Sequence, residues 1–270
     1  MTDRSDREEI ALNHATIAGE AFTDNARLLA SVQEADWSHE TGCKDWDLRT
    51  LEGHLVGEAV WFAHLVLEVG RGEQPLPAET WDRLAALPAD EMSERLATAA
   101  RDLPAHVRML TPDELESTAD LGWRKEPLYR ALLVGVMEAV YHNWDARVSV
   151  DPDATIPAPW AQHLAENLDD VIPALAHRKA LAGSAGVYAF RIGDGVGTRT
   201  ITVGQQGVAV RREEARSSDV VLTVNADAFV RLVAGRFPLE SAIDAGTVQL
   251  DGDRERAVTL NALFGGIANG

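Results

Sequence analysis

The chain has 270 residues, 46% apolar and 25% charged, enough for one large or two small packed domains and inconsistent with disorder along its whole length. With 25 basic against 43 acidic residues the formal net charge is −18, so neither a nucleic acid backbone nor an anionic membrane is an expected partner. The single cysteine, Cys43, excludes an intrachain disulfide and the cysteine-rich zinc modules; the charged start MTDRSDREEI has no apolar signal region and no run reaches the ~18 residues of a membrane span, so the expected location is the cytoplasm.

The N-terminal part reads as helical. Ile10, Ile17, Ala21, Leu28 and Val32 recur at helical spacing over 7–32. Asp47 is placed to cap a second helix, DLRTLEGHLVGEAVWFAHLVLEV, which Gly70, Gly72, Pro75 and Pro77 are expected to end. A third helix is predicted over 90–110, with Pro104 breaking or kinking it, and a fourth over 127–148 with Pro127 in its first turn. The proline-rich link DPDATIPAPW leads to a fifth, roughly 159–180.

After LAGSAG the period changes to two. VYAFRIG, TRTITVG, GVAVRRE and VVLTVNA alternate or run β-branched between turn residues. AFVRLVAGRF and RERAVTLNALFGG then return to helical spacing around a short strand, TVQLDG. The expected fold class is α+β, with a helical bundle over 1–180 followed by a small α+β domain over 184–270.

Two of the bundle helices carry side chains suited to chemistry. His54 lies in the middle of the second, and Glu138 and His142, four apart, project from one face of the fourth. Two imidazoles and a carboxylate suit a divalent cation and leave a coordination position open. The setting, Leu132, Leu133, Val134, Val136, Met137 and Val140, is apolar, so a buried carboxylate or imidazole there needs a partner. Glu58 and Asp145 are each either an acceptor orienting an imidazole or a surface charge. His64 falls about 80° off the face of His54 and reads as packing, and His14, His39, His106, His163 and His177 read as surface residues. Cys43 is either a stabilised thiolate or a small buried thiol. No nucleophile elbow, Walker loop or H-E-x-x-H motif is present, and GDGVGTRT reads as a hairpin turn.

The words WSHETGCKDWDLRTLEGHLVG (37–57) and VMEAVYHNWDA (136–146) resemble the mycothiol-dependent maleylpyruvate isomerase family, part of the DinB-like group of metal-binding four-helix bundles. SSDVVLTVNADAFVRLVAGR (217–236) and TVQLDGDRERAVTLNALF (247–264) are similar to the sterol-carrier-like domain often fused to that bundle. The resemblance implies a divalent metal, usually zinc, on His54, Glu138 and His142, and a low-molecular-weight thiol such as mycothiol as cosubstrate. The thiol, held by the metal as thiolate, would serve S-transfer to, or cis–trans isomerisation of, a small electrophilic substrate.

Arg236, in the V-A-G-R word, is the candidate catalytic residue, a clamp for a substrate carboxylate in a cleft shared with the bundle; the alternative is a surface arginine at a helix end. Arg211, Arg212 and Arg231 are the other cations considered there. A metal-dependent hydrolase without thiol, and a non-catalytic binder of a small molecule or lipid, are the competing functional readings.

Overall fold

The computed structural model describes residues 4–68 and 83–265. Gly70, Gly72, Pro75 and Pro77 lie outside the described residues. The chain divides into two compact units, Met1–Ala154 and Thr155–Gly270.

In the first unit four long helices pack side by side: α1 (Arg4–Leu29), α2 (Leu48–Glu68), α3 (Ala89–Val107) and, after a short α4 (Pro112–Leu115), α5 (Leu128–Arg147). Both α1 and α2 pack on α3 and on α5, so α1 and α2 stand on one diagonal of the bundle. Of the predicted stripe Ala21 is fully buried, while Ile10, Ile17, Leu28 and Val32 are only half-buried; the rest of the buried face of α1 is Ala11, Ala15, Ala18, Phe22, Ala26 and Leu29. The predicted stripe is therefore displaced around the helix, because α1 packs through small side chains. At Gly19 a β-carbon would stand 2.6 Å from the Ala100 carbonyl oxygen of α3, closer than real contacts allow.

Asp47 caps α2 as expected, its Oδ1 accepting from the Thr50 backbone N–H at 2.9 Å. The third helix runs on through Pro104 to Val107. A two-stranded antiparallel hairpin, β1 (Thr118–Asp120) and β2 (Lys125–Pro127), leads directly into α5. No sequence pattern announces it, since three residues per strand are too few to show a period.

The second unit is built on a five-stranded sheet of order β5-β4-β3-β6-β7: β3 (Gly186–Ile192), β4 (Gly197–Gly204), β5 (Gly207–Arg211), β6 (Val220–Val224) and β7 (Gln249–Gly252). The central pair β3 and β6 is parallel, with Tyr188 opposite Val220 and Phe190 opposite Leu222; the other pairs are antiparallel. Its helices are α6 (Ala158–Asn167), α7 (Ile172–Leu175), α8 (Ala226–Val233), α9 (Leu239–Asp244) and α10 (Arg254–Phe264). Asn225 and Asp253 cap α8 and α10 through the backbone N–H groups of Ala228 and Arg256. Tyr188, Phe190, Phe229 and Phe264 are fully buried in the core. The α+β class expected from the sequence is thus the observed one. No described helix is long and apolar enough to cross a membrane.

The expected boundary at 180/184 and the single helix over 159–180 need correction. The units divide after Ala154, and α6 packs on α8, inside the second unit. The helix stops at Asn167 and continues as a 3-10 turn, Leu168–Asp170, followed by the short α7. Side chains from the sheet take the carbonyls that another helical turn would use: Arg199 donates to the Ala165 oxygen at 3.2 Å and Arg212 to that of Glu166. Asp169 accepts from both guanidinium groups, and Arg199 is only 2% exposed. Removing one member of a buried ion pair strands the other charge, at about 3–5 kcal/mol. Asp169→Ala should therefore lower the unfolding free energy of the chain by about that amount in denaturant titrations. Adding Arg199→Met should recover much of the loss; a double variant no more stable than Asp169→Ala would show that the charge pair is not what holds this corner.

Candidate metal centre

The bundle brings His54, Glu138 and His142 together. Since α2 packs on α5, His54 faces the i,i+4 pair, and one oxygen serves both rings: Glu138 Oε2 lies 3.3 Å from His54 Nε2 and 3.1 Å from His142 Nε2. The two rings meet edge to face with centroids 5.0 Å apart. His54 and Glu138 keep 27% and 28% of their side-chain surface exposed, so the cluster can be reached from solvent.

Behind His142 stands Asp145, with no exposed side-chain surface and its Oδ2 2.9 Å from His142 Nδ1. The carboxyl at Nδ1 holds the ring so that Nε2 faces Glu138. This resolves the alternatives left by the sequence: Asp145 is an orienting acceptor. Glu58 also approaches His54, its Oε1 4.0 Å from the same Nε2 that faces Glu138.

The electrostatics follow from this packing. Burial would raise the Glu138 carboxyl, but hydrogen bonds from His142 and His54 outweigh it and hold the group well below the usual carboxylate range. Burial would also favour neutral His142, yet its bonds to Asp145 and Glu138 push it up to about 9. Glu58 goes the opposite way, to about 8, because burial and the neighbouring Glu138 charge together exceed the help from His142. A cation at the cluster would displace the proton from His142 Nε2.

Several features escape sequence reasoning. Trp46, from the loop before α2, packs against both rings, 5.0 Å from His54 and 6.0 Å from His142 by centroid, the latter stacked at 26°. Its place just ahead of the helix cap was the available signal. Deeper in the bundle, Asn25 Nδ2 donates to Oε2 of fully buried Glu52 at 2.5 Å, crossing the diagonal between α1 and α2. Burial raises the Glu52 carboxyl to about 8 against the opposing Asn25 bond, so it is largely neutral at pH 7.

Cys43 is a buried thiol, and its Sγ and donor atoms of His142 and Asp145 all lie within 4.8 Å of one another. Of the histidines expected at the surface, His39 and His177 are exposed and His106 and His163 half-buried, whereas His14 is 3% exposed. His14 falls on the buried alanine face of α1, one more consequence of the displaced stripe.

Arg236 belongs to the second unit. It follows Gly235, whose φ of +72° turns the chain at the end of α8, and it is 8% exposed, with Nη1 donating to the Ala234 carbonyl at 3.0 Å. It is therefore a buried arginine rather than a surface one. Arg212 and Arg231 pair with Asp169 and Asp227, while Arg211 lies exposed near Glu213.

The residues present fit a divalent cation. His54, Glu138 and His142 each offer a donor atom, all three within 4.8 Å of one another, and the donors are the nitrogen and oxygen types that borderline divalent ions accept.

Comparison with known proteins gives the same two parts. Residues 18–147 match the family model described as mycothiol maleylpyruvate isomerase N-terminal domain, and residues 166–265 match the SCP-2 sterol transfer family. No curated protein sequence matches the chain. Among solved structures, a mycothiol-dependent maleylpyruvate isomerase is similar at 19% identity and a TM-score of 0.55, over 87% of this chain and 92% of that one. A histidine-to-alanine mutant of such an enzyme is similar at 18% identity and a TM-score of 0.56, with the same coverage. These structures carry a likeness of fold. Residues 18–147 thus carry a mycothiol maleylpyruvate isomerase N-terminal domain and residues 166–265 an SCP-2 domain, in the fold that those solved structures share.

Proposed function

We propose that the protein is an enzyme that uses a low-molecular-weight thiol, such as mycothiol, for cis–trans isomerisation of, or S-transfer to, a small electrophilic substrate at a divalent metal, zinc being the family's usual ion. The observation that carries this reading is the convergence of His54 Nε2, His142 Nε2 and Glu138 Oε2 on one point of the bundle, with Asp145 fixing His142 from behind. His54, Glu138 and His142 would hold the ion. When bound, it lowers the pKa of a thiol and presents it as the nucleophile. Trp46 covers one side of the two imidazoles and limits the approach of water there. Asp145 keeps the His142 ring in the orientation that binding needs.

His142→Ala should lose most of the metal that the wild-type chain retains, by elemental analysis. It should also lose the thermal stabilisation that bound metal gives, about 2.7 kcal/mol at a hundredfold excess over Kd. Full metal content in that variant would overturn the ligand assignment.

With metal and mycothiol supplied, the wild-type chain should convert maleylpyruvate to its trans isomer without net thiol loss, or consume thiol with a leaving-group electrophile. Product formation that is independent of thiol would favour the hydrolytic reading instead.

Arg236 is carried in this proposal as the cation for an anionic substrate. Arg236→Ala should raise KM for such a substrate and leave metal content unchanged; unaffected kinetics would leave it a structural arginine.

A further inference from the structure

Helix α1 supplies none of the three donors, yet it is hydrogen-bonded to both helices that do. Asp24 and Asn25 are adjacent near its C-terminal end and reach in two directions. Asp24 Oδ2 accepts from Asn143 Nδ2 and from Arg147 Nε, each at 3.0 Å, and pairs with Arg147 Nη2. Arg147 Nε also donates to Asn143 Oδ1 at 3.2 Å, which closes the group. Asn143 is 1% exposed and directly follows His142 on α5. In the other direction, Asn25 Nδ2 donates to Oε2 of Glu52, two residues before His54 on α2. Two adjacent residues of α1 thus hold α5 beside His142 and α2 beside His54.

These bonds specify what apolar packing leaves loose. Aliphatic side chains repack after a small slide or rotation of a helix, whereas a buried polar pair is satisfied in one register. A slip would strand Asn25 and Glu52, both fully buried, and their Oδ1 and Oε1 atoms already lack a hydrogen bond among the described residues. Side chains on a helix are spaced at about 100° per residue, so holding one of them sets the direction of its neighbours. Asn143 held by Asp24 sets where His142 and Glu138 point, and Glu52 held by Asn25 sets where His54 points. Glu138 and His142 share one helix, so the geometry that can vary is the placement of α2 against α5. The 3.3 Å approach of His54 Nε2 to Glu138 Oε2 spans that gap.

Resting on the metal reading given under Proposed function, we infer that Asp24 and Asn25 are positioning residues of the metal centre. Asp24 fixes α5, Asn25 fixes α2, and together they set how the imidazole on one helix meets the donor pair on the other.

The test uses the full chain stripped of metal. Zn2+ is titrated in competition with a chromophoric chelator, Co2+ is added while its visible absorption is recorded, and unfolding in denaturant gives the stability of the metal-free chain. Asn25→Leu leaves Glu52 buried without its donor and should lower both stability and Zn2+ affinity. Asn25→Leu combined with Glu52→Met replaces the pair by apolar contacts, so the unfolding midpoint should return toward that of the wild type. Its Zn2+ affinity should nevertheless stay about tenfold weaker, with altered Co2+ bands, because the register is no longer specified. Glu52→Gln, whose amide oxygen still accepts from Asn25, should bind Zn2+ as the wild type does. Asp24→Ala should also weaken Zn2+ binding and alter the Co2+ bands, and Asp24→Asn, which keeps an acceptor oxygen, should recover part of the loss.

Wild-type Zn2+ affinity in the double variant or in Asp24→Ala overturns the inference and leaves these bonds a purely structural role. So does a Glu52→Gln variant that binds as weakly as the double variant, since the hydrogen bond is then not what matters. Failure of the larger reading looks different: a wild-type chain that binds neither ion, or a His142→Ala variant that binds both normally, removes the centre itself.

Discussion

Everything at the centre of the first unit depends on one carboxylate oxygen. Glu138 Oε2 is the meeting point of α2 and α5, and both imidazoles are placed by reference to it. An unpaired carboxylate in an apolar bundle would pick up a proton or force the helices apart. Here two rings face it, Asp145 lies behind one of them, and the charged form persists. The paired groups thus hold the three donor atoms within 4.8 Å of one another.

The same bundle carries a second polar pair, Asn25 with Glu52, and the contrast between the two is instructive. Glu52 is fully buried, holds one hydrogen bond from Asn25 and is pushed toward its neutral acid. Its Oε1 and the Asn25 Oδ1 have no hydrogen-bond partner among the described residues. Glu138, more exposed and facing two imidazoles, is pushed toward its anion. One carboxyl in this bundle behaves as a neutral hydrogen-bonding group across a diagonal, and another as a charged donor at an accessible face. Environment separates the roles of two glutamates that sequence alone presents as equivalent.

How far the sequence could be read follows from the length scale of each signal. The i,i+4 spacing of Glu138 and His142 is a local property of one helix, and His54 lies on a helix whose cap is visible at Asp47; both could be read directly. Strands β3 to β6 announce themselves by alternation. What was hidden is tertiary. On α1, Gly19 lies against the Ala100 carbonyl, and the buried face holds Ala11, Ala15, Ala18 and His14 in place of the larger Ile10 and Ile17. The end of α6 is set by guanidinium groups some 30 to 50 residues later in the chain, which no local pattern near 167 records. The stacking of Trp46 on two histidines depends on α2 and α5 being neighbours.

The loop that delivers Trp46 explains why residues that are not donors still belong to the site. The Trp46 N–H closes a turn on the Cys43 carbonyl at 3.2 Å, with Asp45 at φ +67°, a conformation that aspartate tolerates better than most side chains. Thr41 pins the turn through its hydroxyl, which donates to the Trp46 carbonyl and accepts from the Cys43 N–H. Gly42 donates its N–H to the Asp145 carbonyl at 3.0 Å, and a β-carbon on it would run into the Asp145 carboxylate and the Trp144 ring. Only glycine lets the loop lie this close. One short word, T-G-C-K-D-W, therefore positions the aromatic wall at one end and presses on the carboxylate that orients His142 at the other. Any side chain at position 42 would reach the candidate centre through Asp145 without itself touching a donor atom. The constraint on that residue is steric, and its consequence is the direction in which an imidazole nitrogen points.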